Sequence, residues 1–287
     1  MCIIGPGCVV DLNKLEEEIC YLEQLGFQYI RDNLYLSYNA HIIQEEHILI
    51  DHKHDKIGST KCGIGPCYSD KINRKGKQIK DVPKIIEKMK LKMINISHYF
   101  YNMNGRDMYL FFEGAQGFEL DIDWGDYPYT TSSNCISGGI YNCGIYGNKI
   151  RHIFGIAKIY DTYVGSKYFQ KNSIDLEKLG NIGNEIGSTT GRKRQVNWLH
   201  LEKLKNAIQV NNCTHVIFNK CDIIESLGIY KLFEYDKNGQ SFLMNDTNND
   251  KLNTFDNLND MKKYIINYLQ SKFLNISIHF SFSPYEI

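Results

Sequence analysis

Four stretches of this sequence hold residues whose types and spacing could do chemistry. The first is Val216-Ile217-Phe218-Asn219-Lys220-Cys221-Asp222. An apolar run ending in N-K-x-D is the pattern by which GTP-binding proteins read guanine. A carboxylate at Asp222 would accept from both N1–H and the 2-amino group of guanine, a donor pair that adenine lacks. The Lys220 stem could cover the flat face of the base. The plainer alternative is a solvated strand end with a capping Asp. The second stretch is Gly187-Ser188-Thr189-Thr190-Gly191-Arg192-Lys193-Arg194, where hydroxyls, glycine backbone and cations converge as an anion trap. Its alternative is a basic surface loop. The third, Gly58-Ser59-Thr60 through Gly63-Ile64-Gly65-Pro66 to Lys71 and Arg74, is equally rich in donors, or else a long turn with a basic end. The fourth, Glu113-Gly114-Ala115-Gln116-Gly117, offers an amide and open backbone after an apolar run.

Two other groups read as structural. Asp51-His52-Lys53-His54-Asp55 has metal-type residues, but adjacent alternating positions around a Lys seldom form a cage. Cys62 and Cys67 lack a partner pair, so ordinary thiols are expected there.

Helices and strands must hold these stretches in place. Asp11 is a helix N-cap, followed by Leu12, Leu15, Ile19, Leu22 and Leu25 at helical spacing and by Gly26 as the stop. Residues 27–50 read as β-rich, 57–76 as a structured loop and 84–103 as helical. Short apolar runs at 108–112, 153–160 and 215–218 read as buried strands. Residues 199–210 and 258–273 read as helices, 276–282 as a last strand, and 236–256 as a flexible excursion rich in Asp and Asn. Strands alternating with helices and ending in polar or glycine loops predict an α/β protein with a mostly parallel central sheet flanked by helices. Ligands of such sheets bind beyond the carboxyl ends of the strands. With no repeat and no clear linker, residues 1–287 read as one domain.

Composition narrows the function classes. With 33 Lys+Arg against 33 Asp+Glu, the formal charge is zero, unlike a protein whose main work is holding nucleic acid or anionic membrane. No apolar run reaches the ~18–20 residues of a membrane span, and no signal peptide is visible. Nine Cys without a CxxC pair suit a reducing, cytoplasmic compartment.

In this order, these stretches resemble the adenylosuccinate synthetase family. Gly63-Ile64-Gly65-Pro66-Cys67-Tyr68-Ser69-Asp70-Lys71-Ile72-Asn73-Arg74 follows the family's G-I-G-P-x-Y-x-x-K-x-x-R signature. Phe112 to Gly117, Asp121-Ile122-Asp123 and Tyr127 to Asn134 make a second long match, and Gly183 to Arg194 a third. The resemblance implies a P-loop-NTPase-like synthetase fold. It implies GTP-dependent phosphorylation of IMP at O6, with Mg²⁺, and displacement of that phosphate by the amine of L-aspartate. Thr60, Gln116 and Thr131 would hold IMP, with Arg192 near its ribose and Arg74 reaching the IMP of a partner subunit in a homodimer. Lys71, at the signature lysine, would be an active-site cation, and Gln116 would share the catalytic role. Val164 and the loop Ser188, Thr189, Thr190, Gly191, Arg192, Lys193 and Arg194 would clamp aspartate. Lys220, Cys221, Asp222 and Ser281 would read guanine, with Arg194 beside the GTP.

The family opens with a phosphate loop, G-D-E-G-K-G-K, followed by a glycine-rich turn bearing a histidine. The resemblance places both, and the first strand, ahead of Met1, so a missing N-terminal segment is expected to supply them. No metal ligand is assigned within the sequence itself. Three departures are visible: Lys61-Cys62 where the family has Gly-Arg, Tyr163 where it has Arg, and Phe282-Ser283-Pro284 after Ser281. The alternatives are a nucleotide-binding remnant without turnover and a variant that takes a guanine nucleotide in place of IMP. An unrelated GTPase fits less well, since it too needs a phosphate loop.

Overall fold

The carboxylate of Asp11 accepts hydrogen bonds from the backbone N–H groups of Asn13 (2.9 Å) and Lys14 (3.3 Å), which fixes the first long helix where the sequence places it. The computed structural model describes residues 1–53, 57–102, 109–143, 150–187, 190–235 and 250–285. The chain divides into two compact units, Met1–Lys149 and Ile150–Ile287.

The first unit runs β1 (Cys2–Ile4), β2 (Val9–Val10), α1 (Leu12–Gln24), α2 (Ile30–Asn33), β3 (Leu34–Ser37), β4 (His41–Ile42), α3 (Glu45–Lys53), α4 (Ile64–Ile72), α5 (Pro83–Lys88), β5 (Lys92–Ile94) and α6 (Ile96–Asn102). Its parallel sheet has the order β1-β3-β5, and β2 and β4 form a separate parallel pair. Ile19, Leu36, Ile79 and Ile86 fill the centre of its core.

Four sequence expectations are corrected in this unit. Residues 27–50 are not mainly β: Glu45 and Glu46 open α3 and His52 and Lys53 close it, charges placed to complement the helix dipole. Residues 57–76 hold a helix, because Gly63 adopts the left-handed conformation (φ +75°) before α4 and Pro66 falls in its first turn, where no N–H is needed. The helical pattern over 84–103 is broken by β5, since left-handed Lys90 (φ +56°) ends α5 and sends Leu91 into the core. Residues 109–112 form no strand and lie exposed, Tyr109 at 97 % and Phe111 at 86 %. An apolar run becomes a strand only where a neighbour completes its ladder, and β1, β3 and β5 pair with one another instead.

The second unit runs β6 (Phe154–Lys158), β7 (Tyr160–Tyr163), α7 (Ile174–Ile182), β8 (Gln195–His200), α8 (Leu201–Asn211), β9 (His215–Asn219), α9 (Cys221–Leu227), β10 (Tyr230–Tyr235), β11 (Asp250–Phe255), α10 (Leu258–Gln270) and β12 (Ser277–Phe280). One sheet, β12-β9-β6, is wholly parallel; the other, β11-β10-β8-β7, is mixed. Buried Ile159 hands the chain from one sheet to the other, its N–H on the carbonyl of Asn219 (3.0 Å). Val216 and Phe218 of β9 point into a core closed by Leu176, Leu179, Ile224, Met261 and Ile265. The α/β class with mostly parallel sheets and flanking helices is thus observed. The expected excursion at 236–256 is corrected over Asp250–Phe255, which pairs antiparallel with β10; residues 236–249 lie outside the described residues. No helix among the described residues is long and apolar enough to cross a membrane.

Candidate functional site

In the second unit, β9 and β12 run parallel and in register, with Phe218 beside Phe280, so their carboxyl ends meet. Ser281 N–H donates to the carbonyl of Phe218 (2.8 Å), and Cys221 N–H donates to the carbonyl of Ser281 (3.3 Å). Lys220 takes the left-handed conformation (φ +63°), which turns the chain sharply from β9 into α9. Cys221 is thereby buried, its thiol pushed up to about 11 by that burial, while Asp222 sits in the first turn of α9. The Asn219 side-chain oxygen is buried without a hydrogen-bond partner among the described residues. The structure therefore gathers Lys220, Cys221, Asp222 and Ser281 at one strand end.

Beside them lies a buried carboxylate. The side chain of Glu185 is 2 % exposed. It accepts from the Tyr160 hydroxyl (2.6 Å), Lys158 Nζ (2.7 Å) and Arg194 Nη1 (3.1 Å). Burial pushes this carboxyl up, but the bonds from Lys158 and Tyr160 and the charges of its neighbours outweigh that and hold it below the usual range. The backbone repeats the link, since Arg194 N–H donates to the Glu185 carbonyl (2.9 Å) and Gly187 N–H to that of Arg192 (2.8 Å). Residues 185–187 and 192–194 thus form the stem of the basic loop. Gly191, at φ +65°, turns its tip, and Thr190 Oγ1 accepts from Arg192 Nε (3.1 Å). Lys193 Nζ reaches the side chain of Asn181 (3.0 Å). A Cβ on Gly187 would lie 3.9 Å from a methyl of Val164, which places Val164 against the loop. Ser188 and Thr189 lie outside the described residues. Lys220 Nζ donates to the carbonyl of Gly183 (3.1 Å), so the strand end and the loop stem share one turn.

The first unit positions the other candidates. Residues 51–53 close helix α3 rather than forming a solvated strand end, and Asp51 accepts from Ser59 Oγ and from Gly63 N–H, both at 2.9 Å, so it anchors the loop ahead of α4; His54 and Asp55 lie outside the described residues. A Cβ on Gly63 would come within 2.9 Å of the Ile48 nitrogen, so only glycine fits. Tyr68 and Lys71, one turn apart on α4, both reach the Gly7 carbonyl (2.9 and 3.4 Å), and Lys71 lies over the Tyr68 ring. The Tyr68 phenol is pushed up to about 12, chiefly by burial. Between α4 and Ile122–Ser132 is an open cleft of about 310 Å³.

Thr131 belongs to a loop organised by Asp121, which is fully buried and accepts from the N–H groups of Asp123 (2.9 Å), Trp124 (3.1 Å), Cys135 and Ile136 (3.2 Å). Gln116 is exposed with φ +70°, Thr60 is exposed, and Arg74 (φ +62°) projects from the end of α4 with no ion pair among the described residues. Among the described residues no hydrogen bond joins Thr60, Lys71, Gln116 and Thr131 to one another. Arg192 belongs to the second unit. No three His, Cys, Asp or Glu side chains converge among the described residues. The organising carboxylates Asp121 and Glu185 carried no role in the sequence reading. The only signal in the sequence was their place within the matched stretches, Glu185 as the one acid of Gly183–Arg194 and Asp121 as one of several acids in the other.

Comparison with known proteins agrees with the sequence resemblance. The family model "Adenylosuccinate synthetase" matches residues 1–85 and 77–264. The adenylosuccinate synthetase of Chlorobium chlorochromatii is 37 % identical over 273 residues, covering 78 % of this chain and 63 % of the relative. That of Thermodesulfovibrio yellowstonii is 38 % identical over 288 residues, covering 84 % and 67 %. Fully ligated adenylosuccinate synthetase from Plasmodium falciparum superposes with a TM-score of 0.83 at 25 % identity, over 98 % of this chain and 82 % of that one. The cyanophage S-2L succinoaminodeoxyadenylate synthetase shares the fold, with a TM-score of 0.70 at 18 % identity over 98 % and 73 %. This chain belongs to the adenylosuccinate synthetase family. It spans about 63 % of the length of the first curated relatives it matches.

Proposed function

We propose that this chain serves the family's reaction in cytoplasmic purine nucleotide biosynthesis, the GTP-dependent condensation of IMP with L-aspartate. GTP gives its γ-phosphoryl group to O6 of IMP and leaves as GDP. The aspartate amine then attacks C6, phosphate departs with the O6 oxygen, and adenylosuccinate results. Phosphorylation turns a poor oxygen leaving group into a good one. The observation that supports this reading is the strand-end junction, where Lys220, Cys221, Asp222 and Ser281 meet the stem of the basic loop.

At that junction Asp222 accepts from guanine, Lys220 covers the base and Ser281 closes its edge, while Arg194 lies by the GTP. Val164 and Ser188 to Arg194 hold the aspartate, whose two carboxylates suit that density of donors. Thr60, Gln116, Thr131 and Arg192 hold IMP, and Lys71 and Gln116 serve at the reacting centre. Arg74, exposed at the end of α4, reaches the IMP of a second copy in a homodimer. The phosphate loop and the groups that accompany Mg²⁺ come from a further segment. Apolar side chains left in solvent on the outer edge of a parallel sheet, Phe154 at 49 % and Ile156 at 63 %, offer a surface for such a segment.

The test is adenylosuccinate formation by the purified native protein from IMP, GTP, L-aspartate and Mg²⁺. Product is expected, with its preference for GTP over ATP lost in Asp222→Asn. A folded protein that binds GDP over ADP without turnover is a nucleotide-binding remnant. Product formed from guanylate and not from IMP moves the acceptor to a guanine nucleotide. Neither turnover nor guanine preference in a folded sample overturns the reading.

A further inference from the structure

Glu185 carries more connections than a packing role needs. Its two carboxylate oxygens hold one hydroxyl and two cations, and its backbone carbonyl holds a fourth donor, the N–H of Arg194. A carboxylate this buried is retained at a cost in desolvation, and the cost is met only when its partners are fixed. Those partners lead to both halves of the junction. Arg194 ends the basic loop, and the Gly183 carbonyl, two residues before Glu185, accepts from Lys220. The same turn is locked from the other side: a Cβ on Gly183 would stand 2.5 Å from the Tyr160 hydroxyl that donates to Glu185. The Arg194 side chain is 30 % exposed, with its Nη1 held by Glu185.

We propose that Glu185 is a positioning residue that sets the Arg194 guanidinium for a guanine nucleotide, acting through the one carboxylate oxygen, Oε2, that holds both Lys158 and Arg194. This rests on the reading that the junction binds GTP. A guanidinium fixed before the ligand arrives loses less rotamer freedom on binding, and affinity gains accordingly. Lys158 keeps the carboxylate ionised between two cations, and Tyr160 fixes its rotation.

The experiment is calorimetric titration of GDP and ADP into the full chain, as wild type, Glu185→Gln, Arg194→Met and the double variant, with Glu202→Gln as a control. Glu202 is another partly buried carboxylate of this unit, bonded to Lys205 and Tyr268 and remote from the junction in sequence and role. Glu185→Gln is expected to weaken GDP about tenfold, the loss of one positioned charge-assisted contact. In the Arg194→Met background the same change is expected to alter GDP affinity less than about twofold, because the group it acts through is gone. Glu202→Gln is expected to lower stability and leave GDP affinity as in wild type. Should Glu185→Gln fail to fold, Glu185→Asp, which keeps the charge and shortens the reach, is expected to bind GDP with intermediate affinity. Wild-type affinity in Glu185→Gln, or an equal loss in both Arg194 backgrounds, overturns the positioning role. Absence of any guanine preference in the wild type overturns the binding reading itself, and this inference with it.

Discussion

Replacing Asp121 with Asn tests the loop that carries Thr131 with almost no change of shape. One carboxylate oxygen accepts from the N–H groups of Asp123 and Trp124, the other from those of Cys135 and Ile136. An amide keeps only one oxygen. Whichever way it turns, an NH₂ group faces two backbone N–H groups, and both lose their acceptor at a site that is 0 % exposed. A buried donor left unpaired costs about 1–3 kcal/mol, and loss of the ionised acceptor weakens the bonds that remain. The two losses share one side chain and do not simply add. An expected destabilisation of about 3 kcal/mol follows, roughly a hundredfold in the folding equilibrium.

The sequence supplies a local reporter for this test. It has two tryptophans: Trp124 lies inside this loop at 46 % exposure, and Trp198 is buried in the second unit at 5 %. In a Trp198→Phe background, urea unfolding followed by fluorescence reads Trp124 alone. The midpoint is expected to fall with little change in slope. A loss below about 0.5 kcal/mol, the range of ordinary surface substitutions, would refute the role given to Asp121.

Two further predictions concern titration and reactivity. Alkylation of the native protein with iodoacetamide at mildly alkaline pH is expected to modify exposed Cys2 and Cys8 and spare Cys67 and Cys221, which are 0 % exposed with thiols pushed up to about 11 by burial. Mass spectrometry of the digest reads this directly, and early labelling of Cys221 would contradict the described turn. Burial, and then donation to Glu185 and Glu202, raises the Tyr160 and Tyr268 phenols above their ordinary value of 10. The folded protein keeps these protons where the unfolded chain releases them. Their contribution is therefore full below about pH 10 and lost as pH rises beyond it. Urea midpoints between about pH 9 and 11 are expected to fall, and less steeply in Tyr160→Phe and Tyr268→Phe; an unchanged slope in both would contradict this.

Much of the fold is legible where a local signal suffices. Asp11 caps α1 with its own side chain, and Gly26 follows it at φ +97°. The apolar run at β9, the helix at α10 and the strand at β12 follow from period and length alone. Legibility fails where glycine and proline begin an element, as at α4, and where a helical period hides a strand, as at β5. It fails again at Tyr109 to Phe112, whose composition is that of a buried strand.

By itself the sequence determined the chemistry available: the Asn219 to Asp222 strand end, the hydroxyl-rich basic loop, and the family to which their order belongs. Residue types and short spacings are local, and local properties survive in one dimension. The tertiary structure alone decided which of these groups meet. It set Ser281 beside Cys221 through strand pairing, and it put Lys158, Tyr160 and Arg194 on one carboxylate. Partners brought together by a sheet register leave no periodic trace in the chain. A buried acid is costly until its donors arrive, and those of Glu185 come from β6, β7 and the end of the basic loop.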